Sequence, residues 1–116
     1  GAELTGANLS RVEAARADFS DAELRAANLG GGDFQRASFR DADLKAANLG
    51  RSDFSGADFR GADLEKASIA GADFSRAKGL TQSQLNEACG DRSTELPRGL
   101  TVRACKSHFV IKRVGR

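Results

Sequence analysis

Residues that could perform chemistry are few in this chain, and they lie near its C-terminal end. The only cysteines are Cys89 and Cys105, and the only histidine is His108. These side chains offer at most three soft metal ligands, fewer than a structural zinc site requires. We therefore expect neither a metal site nor a cofactor.

The two cysteines have two interpretations. A disulfide between Cys89 and Cys105 would close a segment of about 17 residues and contribute about 3 kcal/mol to stability. It would also imply an oxidising compartment such as the bacterial periplasm. Alternatively, both are small buried apolar residues of a cytoplasmic protein. We favour the disulfide, because both cysteines belong to one short segment and none occurs elsewhere.

Carboxylates and amides recur at fixed spacing in the first two thirds of the chain. Four carboxylates, twenty residues apart, could form a cation site, although Arg25 and Lys45 close by favour a locally neutralised surface. These carboxylates are Glu3, Glu23, Asp43 and Asp63. A second series could form a ligand-binding face, but a hydrogen-bonded ladder or turn support is the better interpretation. It consists of Asn8, Asn28, Asn48 and Ser68.

Catalytic machinery is missing from the sequence. The chain has no Tyr, no Trp and a single His, and it has no recognisable nucleophile motif or phosphate-binding loop. We therefore expect a protein that is not an enzyme.

The spacing of these polar residues follows a repeat of five residues. Every fifth residue from Leu4 to Phe74 is Leu, Phe or Ile, except Ala14. Ala occupies 13 of the 16 positions that recur every five residues from Ala2 to Ala77, the exceptions being Val12, Gly32 and Ser52. Neither a helix nor a strand keeps such residues on one side. Only a chain that turns a corner every five residues does so. The predicted core is Leu4, Leu9, Phe19, Leu24, Leu29, Phe34, Phe39, Leu44, Leu49, Phe54, Phe59, Leu64, Ile69 and Phe74.

A longer period gives the size of the coil. The core residues run Leu, Leu, Phe, Phe and then begin again, so four five-residue units make one repeat of twenty residues. Identical side chains stacked at the strand spacing of about 4.8 Å would fill continuous columns. The sequence therefore predicts an all-β solenoid of about four coils.

Runs such as Ala42-Asp43-Leu44-Lys45-Ala46 resemble the pentapeptide-repeat family over residues 1–77. The resemblance implies a right-handed quadrilateral β-helix in a bacterial protein. It also implies a noncatalytic structural or protein-interaction module whose partner is unknown. The alternative is a DNA mimic that inhibits or protects a type II topoisomerase such as DNA gyrase.

Charge argues against the DNA mimic. Residues 1–77 carry 10 basic and 13 acidic side chains, whereas residues 78–116 carry 8 and 3. A mimic needs a dense negative field along its length, and here basic and acidic columns alternate. The basic tail, residues 106–116, is short and has a single aromatic, Phe109, so we do not expect nucleic-acid binding.

Residues 78–105 are predicted to form a C-terminal cap, which resembles that of some bacterial pentapeptide-repeat proteins. Thr81 and Gln84 fit a capping box, and Gly90 is a helix stop signal. We expect a helix over about residues 82–89 and a strand over about residues 100–104.

We expect the N-terminal end of the solenoid to lack such a cap. The repeats are already in register at Gly1, and an open coil exposes unpaired backbone. We expect self-association through this uncapped N-terminal coil, a frayed first coil, or further residues upstream. No apolar run is long enough for a membrane span.

Overall fold

A four-sided coil of twenty residues is the repeating unit of the structure, a computed structural model that describes residues 1–106. His108 and nearly all of the predicted basic tail lie outside these residues. Successive coils pair in parallel and in register, as in the bridges from Glu3 to Glu23 and from Asn8 to Asn28. Each pairing is an isolated bridge because the chain turns before a longer strand can form. The described residues accordingly form no strand longer than one bridge residue.

Each side of the coil is named here by the residues that it turns inward. Face 1 contains Leu4, Leu24, Leu44 and Leu64; face 2 contains Leu9, Leu29, Leu49 and Ile69; face 3 contains Ala14, Phe34, Phe54 and Phe74; face 4 contains Phe19, Phe39 and Phe59. The outward residues that pair between coils immediately precede these. Side chains of one type therefore form columns along the rod.

The corners are turns with a left-handed residue. In the first coil, the Ala7 N–H donates to the Leu4 carbonyl over 2.9 Å, and Gly6 between them has φ of +72°. This combination is characteristic of a type II turn. Arg11 and Arg36 occupy the equivalent position with φ of +58° and +61°. The coil pairing therefore holds even non-glycine residues in a conformation that usually favours glycine.

The columns fill the interior. Phe54 lies between Phe34 and Phe74, with ring centroids 5.3 and 4.7 Å away, and the rings are nearly parallel. The predicted core residues from Leu24 to Phe74 are at most 1% exposed. Leu4, Leu9 and Phe19 are only half-buried, because coils flank them on one side only. Burial is therefore greatest in the middle coils.

Gly32 and Ser52 stand at positions where the repeats otherwise have Ala, and each fits the packed interior in its own way. A side-chain carbon on Gly32 would lie 2.5 Å from the Phe34 ring, so only glycine fits there. Directly above it, the Ser52 hydroxyl accepts from the Gly32 N–H at 3.0 Å and donates to the Leu29 carbonyl at 2.6 Å. The sole buried polar side chain of the described residues is thus hydrogen-bonded, as burial requires.

The helix α1 spans Gln82–Asn86 and is shorter than the predicted 82–89. Its capping box is formed by Thr81 and Gln84. The helix ends early because the chain returns to coil pairing: the Cys89 N–H donates to the Ala67 carbonyl at 3.0 Å. No helix within residues 1–106 has the length and apolar character that crossing a membrane would need.

The predicted strand over about residues 100–104 is reduced to one bridge, between Ala104 and Gly90. The Leu100 N–H instead donates to the Pro97 carbonyl at 3.2 Å, which makes a turn of this stretch. Pairing starts only where the Gly90 N–H reaches the Arg103 carbonyl at 2.8 Å.

Candidate interaction surface

Face 1 carries a ladder of opposite charges. Asp43 accepts from Arg25 at 2.6 Å and lies 3.7 Å from Lys45, which also reaches Asp63 at 3.0 Å. Burial alone would raise the pKa of Asp43, but the hydrogen bonds from Arg25 and from the Lys45 N–H hold it below its ordinary value. The hydrogen bond to Asp63 raises the pKa of Lys45. Both groups therefore stay charged at neutral pH.

This ladder pairs two members of the carboxylate column that could have bound a cation. Within residues 1–106, no group of acidic, His and Cys side chains is arranged to hold a metal ion. Two of the four carboxylates, Asp43 and Asp63, are already paired with basic side chains. The structure thus agrees with the locally neutralised surface that the neighbouring basic residues favoured.

The Asn column on face 2 supports turns and forms part of a ladder. Asn28 Oδ1 accepts from the Gly30 N–H at 2.9 Å, and Asn48 Oδ1 accepts from the Gly50 N–H at 2.9 Å. Asn48 Nδ2 also donates to Asn28 Oδ1 at 3.1 Å. Each of these Asn side chains therefore stabilises its own corner, and one hydrogen bond joins two coils.

A groove of about 610 Å³ runs along face 2 beside this column. It exists because Gly30 and Gly50 lie two residues after Asn28 and Asn48, at positions where the other faces mostly carry larger side chains. Arg11 and Arg51 line it along the corner between faces 2 and 3. The spacing of glycines was visible in the sequence, but only the stacking of coils shows that they form one cleft.

Faces 3 and 4 carry further charges with local partners. On face 3, Asp53 and Asp73 accept from the N–H groups of Ser55 and Ser75, each at 2.9 Å. On face 4, Asp58 lies 3.4 Å from Arg60. Sequence reasoning passed over these carboxylates, although an Asp two residues before each corner is a turn signal.

Residues 78–106 lie on the last coil through backbone bridges and through side-chain hydrogen bonds between them. The bridges join Lys78 to Asp58, Cys89 to Ser68 and Glu95 to Asp73. Gln84 Nε2 donates to the carbonyls of Phe59 and Ala62 at 2.8 and 3.0 Å. At Ala62 this amide replaces the backbone N–H of a further coil, since the equivalent Ala42 carbonyl accepts from the Asp63 N–H. The Thr94 hydroxyl donates to the Ile69 carbonyl at 3.1 Å. A disulfide joins Cys89 to Cys105, with Cα atoms 4.7 Å apart.

These observations define a β-helical repeat protein. Pentapeptide repeats match in 8 copies over residues 2–41 and 37–76, and the chain belongs to the pentapeptide-repeat family. Such proteins form right-handed quadrilateral β-helices and are generally structural or interaction modules. No curated protein sequence matches the chain significantly.

Solved structures include similar folds. A pentapeptide repeat protein from the Arabidopsis thaliana thylakoid lumen is 33% identical, with a TM-score of 0.61 over 82% of this chain and 58% of that one. This chain thus spans little more than half of that protein. The protein Rfr23 from the cyanobacterium Cyanothece 51142 is 29% identical, with a TM-score of 0.40 over 81% of this chain and 63% of that one.

Proposed function

We propose that this chain is a noncatalytic protein-interaction module. The observation that carries the proposal is the division between inside and outside. The interior is filled by stacked apolar side chains, while the charged and amide groups stand in fixed columns on four outer faces. A rigid display of this kind suits recognition of a partner, because little side-chain or backbone order must be gained on binding.

Residues 78–106 act in this proposal as the cap of the last coil. Gln84 and Thr94 occupy backbone carbonyls of that coil, and Leu85 is fully buried over its open end. Covering the end would prevent another chain from adding to the exposed backbone. The disulfide of the cap supports an oxidising compartment, which for a bacterial protein is the periplasm.

Site-specific photo-crosslinking tests the interaction function and identifies the face used. A photoreactive amino acid is placed at one equivalent position on each face, and the protein is irradiated in cells of its source organism. The four positions are Glu65, Ala70, Ser75 and Arg40. We expect one face, or two adjacent faces, to crosslink to a discrete partner. Uniform background from all four positions would contradict the proposal.

The alternative, a DNA mimic that acts on a type II topoisomerase, has a separate test. The charge ladder of face 1 weakens its case, since Arg25 and Lys45 cancel the carboxylates there. Supercoiling by purified gyrase should be unchanged by the chain at micromolar concentration. Inhibition, or protection from a gyrase poison, would favour the mimic instead.

A further inference from the structure

We propose that the groove on face 2 binds an extended acidic segment of a partner protein. The proposal rests on the interaction function above and adds the chemistry of the partner. It follows from which hydrogen-bonding groups in the groove are already occupied and which are open.

The Asn28 amide oxygen and the glycine carbonyls that line the groove are occupied. Asn28 Oδ1 accepts two hydrogen bonds, from the Gly30 N–H and from Asn48 Nδ2. The carbonyls of Gly30 and Gly50 accept from the N–H groups of Arg11 and Gly31 at 2.8 and 2.9 Å. In contrast, Asn28 Nδ2 donates to no other described residue. The groove therefore offers donors to a ligand.

Two cations border these donors. Arg11 and Arg51 lie two coils apart on one corner, and neither has a carboxylate within ion-pair distance among residues 1–106. Two coils correspond to about 10 Å, which two to four residues of an extended chain can span. No acidic side chain lines the groove. Carboxylates of an extended segment could therefore meet both guanidinium groups, which bind carboxylates with two parallel hydrogen bonds.

The charge of the surrounding faces favours a peptide over a nucleic acid. Residues 1–77 carry more acidic than basic groups, and face 3, beyond the arginine corner, has the carboxylates of Asp33 and Asp53 on its surface. A nucleic-acid strand that ran beyond the groove would place its phosphates against those groups and be repelled. A short acidic segment confined to the groove avoids most of this repulsion.

The test is an NMR titration of the ¹⁵N-labelled chain with a terminally blocked hexaglutamate peptide at low salt. We expect shift changes at the amides of Gly30, Gly31 and Gly50 and at the Asn28 side-chain amide. The double variant Arg11→Gln with Arg51→Gln should weaken binding about fivefold or more, as expected for the loss of two exposed ion pairs.

The chain offers a matched control on another corner. Arg36 and Arg76 also lie two coils apart with a glycine, Gly56, between them, but they lie outside the groove. Replacing both with Gln removes the same charge and should weaken binding less than about twofold.

Three outcomes would overturn the proposal. These are equal weakening by both double variants, absence of shifts in the groove at millimolar peptide, and tighter binding of a six-nucleotide single strand than of the peptide. A partner crosslinked only from faces other than face 2, with no peptide-induced shift, would also overturn it. That last result would leave the interaction function intact, so the two proposals can fail separately.

Discussion

The repeats and the C-terminal segment satisfy the same backbone groups in different ways. In residues 1–77, a strand of one coil pairs with the next, and one pattern serves every coil. In residues 78–106, backbone pairing with the last coil is limited to irregularly spaced bridges at Lys78, Cys89 and Glu95. Side chains such as Gln84 and Thr94 donate to further carbonyls. The repeats thus depend on stacking that is spread over many similar residues. The segment depends on a few contacts that occur once.

Removing a core ring should have the largest effect on the repeats. Phe54 is fully buried between two stacked Phe rings, so Phe54→Ala should lower the free energy of unfolding by about 3–5 kcal/mol. Ser55→Ala, next to it but facing outward, should change stability little. Denaturant unfolding measures both. Similar losses for the two variants would mean that stacking does not dominate the stability of the repeats.

The disulfide is the strongest single contact of the C-terminal segment. Replacing Cys89 and Cys105 with Ala, or reducing the wild-type protein, should cost about 3 kcal/mol for a loop of this length. We also expect faster hydrogen exchange at the amides of Gly90 and Cys105 after this loss. These amides form the hydrogen bonds between the stretches around Gly90 and Ala104. Finding two alkylatable thiols in protein prepared under oxidising conditions would contradict the prediction and the proposed oxidising compartment.

Two glycines at opposite ends of the repeats, Gly6 in the first coil and Gly79 after the last, form a matched pair. Gly79 and Gly6 have φ of +73° and +72°, but a side-chain carbon would meet the Arg60 backbone nitrogen at 3.0 Å only at Gly79. We expect Gly6→Ala to cost about 1 kcal/mol from backbone conformation alone. Gly79→Ala should cost about 2–3 kcal/mol, because steric overlap adds to that conformational cost. Equal melting temperatures for the Gly6→Ala and Gly79→Ala variants would show that the steric overlap at Gly79 is relieved without cost.

Gln84 tests the side-chain hydrogen bonds of the segment. Gln84→Ala removes the side-chain half of the capping box, in which Gln84 accepts from the Thr81 N–H, and leaves the Ala62 carbonyl without its donor, so we expect a loss of about 2 kcal/mol. The adjacent Ser83 is exposed and helical, and Ser83→Ala should be neutral or slightly stabilising. Thermal unfolding compares the two. If the Gln84→Ala variant is as stable as Ser83→Ala, water can replace the Gln84 amide as the hydrogen-bond donor to the Ala62 carbonyl.

The difference between regularly repeated contacts and contacts that occur once explains which features the sequence could predict. The coil, its four columns and the family follow from repetition, because an error at one position is outweighed by the others. The Thr81–Gln84 capping box was also predictable, since its signature is local. The end of α1 at Asn86 was not, because it depends on Cys89 returning to pair with Ala67. The groove likewise depends on glycines twenty residues apart coming together.

The smallest expected effect concerns pH and the charge ladder of face 1. The pKa of Asp43 is lowered in the folded state, where burial is outweighed by the hydrogen bonds from Arg25 and the Lys45 N–H. A lowered pKa stabilises the fold above the unfolded value of about 4, and this contribution is lost as pH falls through the folded value. Asp43→Asn should therefore reduce stability at pH 7 by at most about 1 kcal/mol, because the pair with Arg25 is partly exposed.

The variant and the wild type should converge in stability as the pH falls through the lowered folded-state pKa of Asp43, below which the carboxylate is protonated in both states. High salt should shrink the difference at pH 7 as well, because exposed ion pairs are screened. Asp53→Asn serves as the control, since Asp53 accepts only the Ser55 N–H and has no ion pair among the described residues. A difference for Asp43→Asn that stays constant from pH 7 down to the acid unfolding of the protein would mean that the ladder contributes through packing and not through charge.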